Sequence, residues 1–201
     1  MEFLVTMTTL VPAGTGERAV ADMRAREAAH SRELTAQGHL RRLWRPPLQP
    51  GEWRSIGLFA AAGPGELEKV LSSMPLRVWR SDQVTPLSEH PNDPGLPQAG
   101  LRRDQEEFLT TFIAAVPAGT ADKLITQARA AEKAHSAELG REGFLVRLWR
   151  LPEPGHSLGL WRAPDPVELQ DLLAALPLAP YMTVDTTPLT QHPSDPLVGE
   201  S

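Results

Sequence analysis

Two glutamates stand where a proton-transfer base would be placed, each followed one helical turn later by a histidine. Glu27 and His30 lie in REAAHSREL, residues 26–34, and Glu132 and His135 lie in AEKAHSAEL, residues 131–139. At about 100° per residue of helix, Val20, Met23, Ser31 and Leu34 form one stripe, and Glu27 and His30 fall inside it. Ile125, Ala128, Ser136 and Leu139 repeat the stripe around Glu132 and His135. A carboxylate held beneath a helix loses solvation, which disfavours its charged form and moves its pKa up towards the range of a general base. Each histidine is placed to hydrogen-bond its glutamate, shuttle the proton or act as a second acid. The competing arrangement swings each glutamate to the helix edge, where Arg24, Arg26 or a strand arginine would pair with it. Glu-x-x-His also occurs in helical metal sites, but those need further ligands from facing helices, and none is evident, so no metal is expected.

A developing enolate, or a carboxylate on the substrate, also needs positive charge nearby. Arg42 with Trp44, and Arg147 with Trp149, alternate along RLWR at residues 42–45 and 147–150 and are candidate binding residues. The competing reading is surface arginine. His90 and His192 each precede a proline near the end of a copy, where they are expected to anchor a strap and take no part in catalysis.

These pairs arise because the chain repeats itself. EFLVTMTTLVPAGT at residues 2–15 matches EFLTTFIAAVPAGT at residues 107–120, and the register continues without a gap through both RLWR segments. After a hairpin loop that is shorter in the second copy, IGLF at 56–59 matches LGLW at 158–161, and HPNDP at 90–94 matches HPSDP at 192–196. A period of roughly 100 residues occurring twice means duplicated domains, because solenoids stack shorter units at least three times. The expected organisation is a domain at 1–90, a Pro- and Gly-bearing linker at 91–106, and a second domain at 107–201.

In the first copy, residues 3–11 read as a strand ending at Pro12, with Thr15 placed to cap the following helix. Residues 16–37 are Ala-, Arg- and Glu-rich without internal Pro, and Gly38 stops that helix. Residues 39–45 and 54–61 read as strands around a Pro-rich loop, 66–72 as a short helix and 78–84 as a last strand. The order βαββαβ is a ferredoxin-like α+β unit: a four-stranded antiparallel sheet with both helices on one face.

Composition narrows the classes of partner. With 41% hydrophobic and 22% charged residues the chain is a folded globular protein. A net charge of -5 and a pI near 5.7 argue against a protein that grips nucleic acid through its phosphates. The absence of cysteine excludes disulfides and thiolate chemistry and suits a cytoplasmic protein. Residues 1–12 read as a strand rather than a leader, and no segment is apolar for long enough to span a membrane.

Several features together resemble the muconolactone isomerases. They are an N-terminal strand ending in VP, a long Glu-bearing helix, residues 38–45 and 143–150 closing on RLWR, LPLAPYM at 176–182 against MPLRVWR at 74–80, and the two closing HP pairs. The resemblance covers both halves. It implies a dimeric α/β barrel of two sheets packed face to face, made here within one chain as a pseudodimer, with further assembly into larger homo-oligomeric rings. It also implies that Glu27 and Glu132 move the proton in a 1,3 shift within an unsaturated lactone, without a cofactor. The family's hairpin carries a Tyr and an Asn facing the lactone; Trp53 and Ser55 stand there in the first copy, Gly155 and Ser157 in the second. Trp and Ser do not match those donors in reach or geometry, so the expected substrate is a lactone or enol-type compound other than muconolactone. The function expected is thus a cofactor-free isomerase or cyclase. A small-molecule binding protein without turnover and a cofactor-independent monooxygenase remain the alternatives.

Overall fold

A computed structural model describes residues 1–95 and 105–198. The expected linker at 91–106 falls largely on residues 96–104, outside the described residues. The chain divides into two compact units, Met1–Leu87 with Thr190–Ser201, and Ser88–Leu189. Each unit therefore carries the closing segment of the opposite copy. Among the described residues there are eight strands, all paired antiparallel, and four α-helices, an α+β fold.

Unit one contains β1 (Glu2–Thr9), α1 (Glu17–Ala36), β2 (Leu40–Arg45), β3 (Arg54–Ala60), α2 (Pro64–Ser73) and the start of β4 (Arg80–Glu89). β1 lies between β3 and β4, pairing Val5 with Gly57 and with Val84, and β2 adds to β3 through Trp44 and Ile56. Strict alternation buries Phe3, Val5, Met7 and Thr9 of β1. Phe3, Val5 and Met7 share one core with Leu34 of α1 and with Leu67, Val70 and Leu71 of α2. One face of the sheet is thus covered by both helices, as the alternation requires. Thr190 and Gln191 complete the unit by pairing with Arg45 and Trp44.

Unit two repeats the arrangement with β5 (Glu106–Ala114), α3 (Asp122–Glu142), β6 (Leu145–Arg150), β7 (His156–Ala163), α4 (Pro166–Ala174) and β8 (Met182–Gln191), the last up to Leu189. Phe108, Phe112, Leu139, Leu145, Trp161, Leu169 and Leu173 form its core. Here Ser88 and Glu89 pair with Arg150 and Trp149.

Three local expectations change. Thr15 does not cap α1: its hydroxyl donates to the Pro12 carbonyl at 2.7 Å, and Gly16 occupies the cap position without a side-chain bond. The strand expected at 78–84 begins at Arg80, because Pro75–Trp79 forms a 3-10 turn. β4 then runs on to Glu89, carried through Pro86 by pairing that the Pro-containing sequence concealed. Gly38 does end α1, at φ 78°, and Gly143 ends α3 at φ 85°, a left-handed conformation that suits glycine.

Candidate active sites

Each unit holds a cavity between its long helix and its sheet. In unit one it encloses about 240 Å³ and is lined by Glu27, Met7, Leu43, Trp53, Ser55 and Met74, among others. In unit two it encloses about 340 Å³, with Glu132 among Phe112, Leu145, Leu148, Trp161 and Leu176. The glutamates reach the cavities because they sit on the inward stripe of α1 and α3, with Ser31 and Leu34, or Ser136 and Leu139, beside them.

Both carboxylates are anchored from the turn that precedes the last strand. Glu27 accepts from the Leu76 amide at 2.8 Å, and Glu132 from the Leu178 amide at 2.9 Å. Burial pushes both carboxyls above the usual carboxylate range, against the lowering effect of these amides. The second oxygen distinguishes the copies. In unit one it accepts from Arg80 at 3.1 Å, and Arg80 also holds Asp82 at 2.6 Å. In unit two Met182 takes the place of Arg80, and no cation hydrogen-bonds Glu132 among the described residues. The edge pairing with Arg24 or Arg26 does not occur, whereas pairing with a strand arginine occurs in the first copy alone.

The histidines beside the glutamates serve the helices. His30 bonds Glu33 and the Ser73 hydroxyl, both at 2.8 Å, and His135 lies 3.7 Å from Glu138. Neither lines a cavity, so the proposed shuttle from His30 and His135 is corrected. A turn of helix places i and i+3 side by side, but the Glu side chain turns under the helix while His30 is held by Glu33 and Ser73, and Nε2 of His135 is buried without a hydrogen-bond partner among the described residues. Among the described residues no three potential metal-ligating side chains converge.

Arg42, Trp44, Arg147 and Trp149 are likewise corrected as substrate-binding residues. Residues two apart share a strand face, and this face is opposite to that of the cavity-lining Leu43 and Leu148. Arg42 is fully buried, stacks over Trp44 at 4.7 Å and bonds Asp195 at 3.1 Å; Arg147 stacks over Trp149 at 4.8 Å and bonds Asp93 at 3.1 Å. Asp195 also accepts from the Leu43 amide at 3.1 Å and Asp93 from the Leu148 amide at 2.8 Å. These aspartates belong to the HPSDP and HPNDP segments, so the arginines clip the closing straps. The RLWR arginines that do line the cavities are Arg45 and Arg150. Trp53 and Ser55 in unit one and Ser157 in unit two line them as the hairpin position requires, and Arg24 stacks over Trp53 at 4.3 Å.

Sequence reasoning missed His192 and His90 as cavity residues. The straps bring His192 to the wall of the unit-one cavity and His90 to that of unit two. Burial, then Arg45, pushes His192 down to about 4; burial and Arg150 lower His90, with Asp93 opposing. The signal available was the matched Asp in both HP-x-D-P segments together with a matched Arg in both strands.

Comparison with known proteins agrees with the twofold pattern. The family model described as muconolactone delta-isomerase matches residues 1–93 and again 107–195. A muconolactone delta-isomerase of Rhodococcus opacus is 36% identical over 81 residues, covering 40% of this chain and 87% of that protein. The enzyme of the same name from Cupriavidus pinatubonensis is 37% identical over 92 residues, covering 46% of this chain and 97% of its own length. In fold alone, the chain resembles the chlorite dismutase of Candidatus Nitrospira defluvii, with a TM-score of 0.62 and 9% identity over 99% of this chain and 94% of that one. The chain belongs to the muconolactone delta-isomerase family, as a tandem duplication of the family's domain.

Proposed function

We propose that the protein is a cofactor-free isomerase that moves a proton within a lactone or enol-type small molecule other than muconolactone. The observation that carries this reading is a carboxylate largely withdrawn from solvent under the long helix of each copy, at the wall of a cavity and with a raised pKa. Glu132 takes a proton from the saturated carbon next to the alkene. The electron pair is delocalised over the lactone carbonyl and the double bond as a dienolate, and the same carboxyl returns its proton at the far alkene terminus, which moves the double bond into conjugation. The base is regenerated and nothing is consumed. A raised pKa narrows the gap to the weakly acidic carbon, and Arg150 supplies positive charge for the enolate or for a substrate carboxylate.

Glu27 is the weaker base of the two, because Arg80 favours its ionised form and occupies one oxygen. That ion pair favours a second reading for unit one alone, a binding site without turnover. The test of the main reading is incubation with β,γ-unsaturated γ-lactones in deuterated buffer, followed by ultraviolet absorbance and NMR. Conjugation of the double bond, catalysed by the protein, is the expected result; neither isomerisation nor exchange across a panel of lactones and enols overturns it.

We further propose that the two copies in one chain associate as the dimeric α/β barrel that the family resemblance implies. Support comes from the exchanged straps, which give each unit a segment of the other copy. Light scattering should find the full chain folded without needing a second chain, whereas residues 1–95 alone dimerise or aggregate. A soluble, folded, monomeric half contradicts the proposal.

A further inference from the structure

Each cavity holds an imidazole whose proton has a fixed place. The Ser194 amide donates to Nδ1 of His192 at 3.0 Å, and the Asn92 amide donates to Nδ1 of His90 at 3.1 Å. A backbone N–H can only donate, so Nδ1 offers its lone pair and the ring proton lies on Nε2. The same geometry occurs in both copies, in straps clipped by Asp195 and Asp93. Nε2 of either ring has no hydrogen-bond partner among the described residues, while each ring lines the same cavity as a glutamate, His192 with Glu27 and His90 with Glu132.

We propose that His192 and His90 present a neutral Nε2–H to the substrate carbonyl oxygen, the atom that gains charge when the neighbouring carboxylate removes the proton. This rests on the proton-transfer reading above. Charged groups around His192 are Glu27, Arg24, Arg45 and Arg80; around His90 they are Glu132, Arg150, Asp93 and Glu153, with His156 also titratable. Burial and the adjacent arginine keep each ring neutral. A neutral imidazole is a weak acid, so it stabilises an oxyanion without giving its proton away, and it does not neutralise the glutamate that must act as base.

Two measurements test the assignment. Long-range nitrogen-proton NMR of the wild-type protein should find His90 and His192 in the Nε2–H form at neutral and mildly acidic pH; an Nδ1–H form or a doubly protonated ring overturns the proposal. The second measurement uses the Glu27→Gln, Glu132→Gln protein, where turnover plays no part. Its affinity is compared by calorimetry for the tetronate anion, an enolate-like lactone, and for neutral 2(5H)-furanone. Adding His90→Phe and His192→Phe should weaken tetronate binding by about tenfold or more, weaken binding of furanone, whose carbonyl is uncharged, by much less, and be partly reversed by Gln at the same positions. Equal losses for both ligands, or no loss, overturn it. Selective loss of tetronate binding in a protein that isomerises no lactone would retain the donor assignment while removing the isomerase reading.

Discussion

Replacing Glu27 and Glu132 together with glutamine should lower the proposed isomerisation by at least the roughly 10²- to 10⁴-fold that a positioned general base contributes, and leave the melting temperature within a few degrees. Glutamine preserves volume and can still accept from the Leu76 and Leu178 amides, so the anchoring of the side chain survives. Glu132→Gln alone should remove most of the rate, since among the described residues no arginine is bonded to the Glu132 carboxylate. Glu27→Gln alone removes little, and Arg80 keeps Asp82 as a partner. The pH dependence has a definite sign. Both folded-state pKa values lie above 4.5, so the folded protein holds these protons more tightly than the unfolded chain. Each carboxyl therefore contributes stability below 4.5 that is lost as pH rises through the folded value. The glutamine variants should accordingly be as stable as wild type or more so at neutral pH, with the difference vanishing in acid. Thermal melts across pH and progress curves with the active lactone check this; unchanged kcat in the double variant refutes the role.

Asp195→Ala should cost about 3–5 kcal/mol of stability, the usual consequence of leaving a buried charge without its carboxylate. Arg42 and Asp195 are both fully buried, and the carboxylate also serves the Leu43 amide and the Gln191 side chain. In a protein of this size the loss corresponds to a fall in Tm of roughly 6–20 °C. Asp93→Ala should cost less, because Arg147 and Asp93 retain 19% and 12% exposure and water can take up part of the vacated role. Scanning calorimetry on the two variants gives the comparison directly, and equal losses would mean that burial does not govern the clip.

The helices and strands were legible because their periodicities differ and are repeated twice. Two copies with the same inward stripe around Glu27 and Glu132 identified the acid, and cavity-lining positions on α1 and α3 follow from it. The strand residues were harder. RLWR presents Arg42 and Trp44 on one face and Leu43 and Arg45 on the other, and nothing local says which face the helix covers. The need for positive charge, met by Arg42 and Arg147, suggested the wrong face, whereas the aliphatic Leu43 and Leu148 lie on the right one. His192 and His90 were illegible for a different reason. Their place depends on contacts with residues of the opposite copy, such as Arg42 with Asp195, and such a pairing leaves no periodic trace in the chain.

The exchange of closing segments ties each site to two distant stretches of sequence. Glu27 shares its cavity with His192, and Glu132 shares its cavity with His90. A substitution in the strap at residues 192–195 therefore acts on the cavity that holds Glu27, and one at residues 90–93 on the cavity that holds Glu132. Substitutions at Glu27 and His90 thus fall on both cavities, whereas substitutions at Glu27 and His192 fall on one.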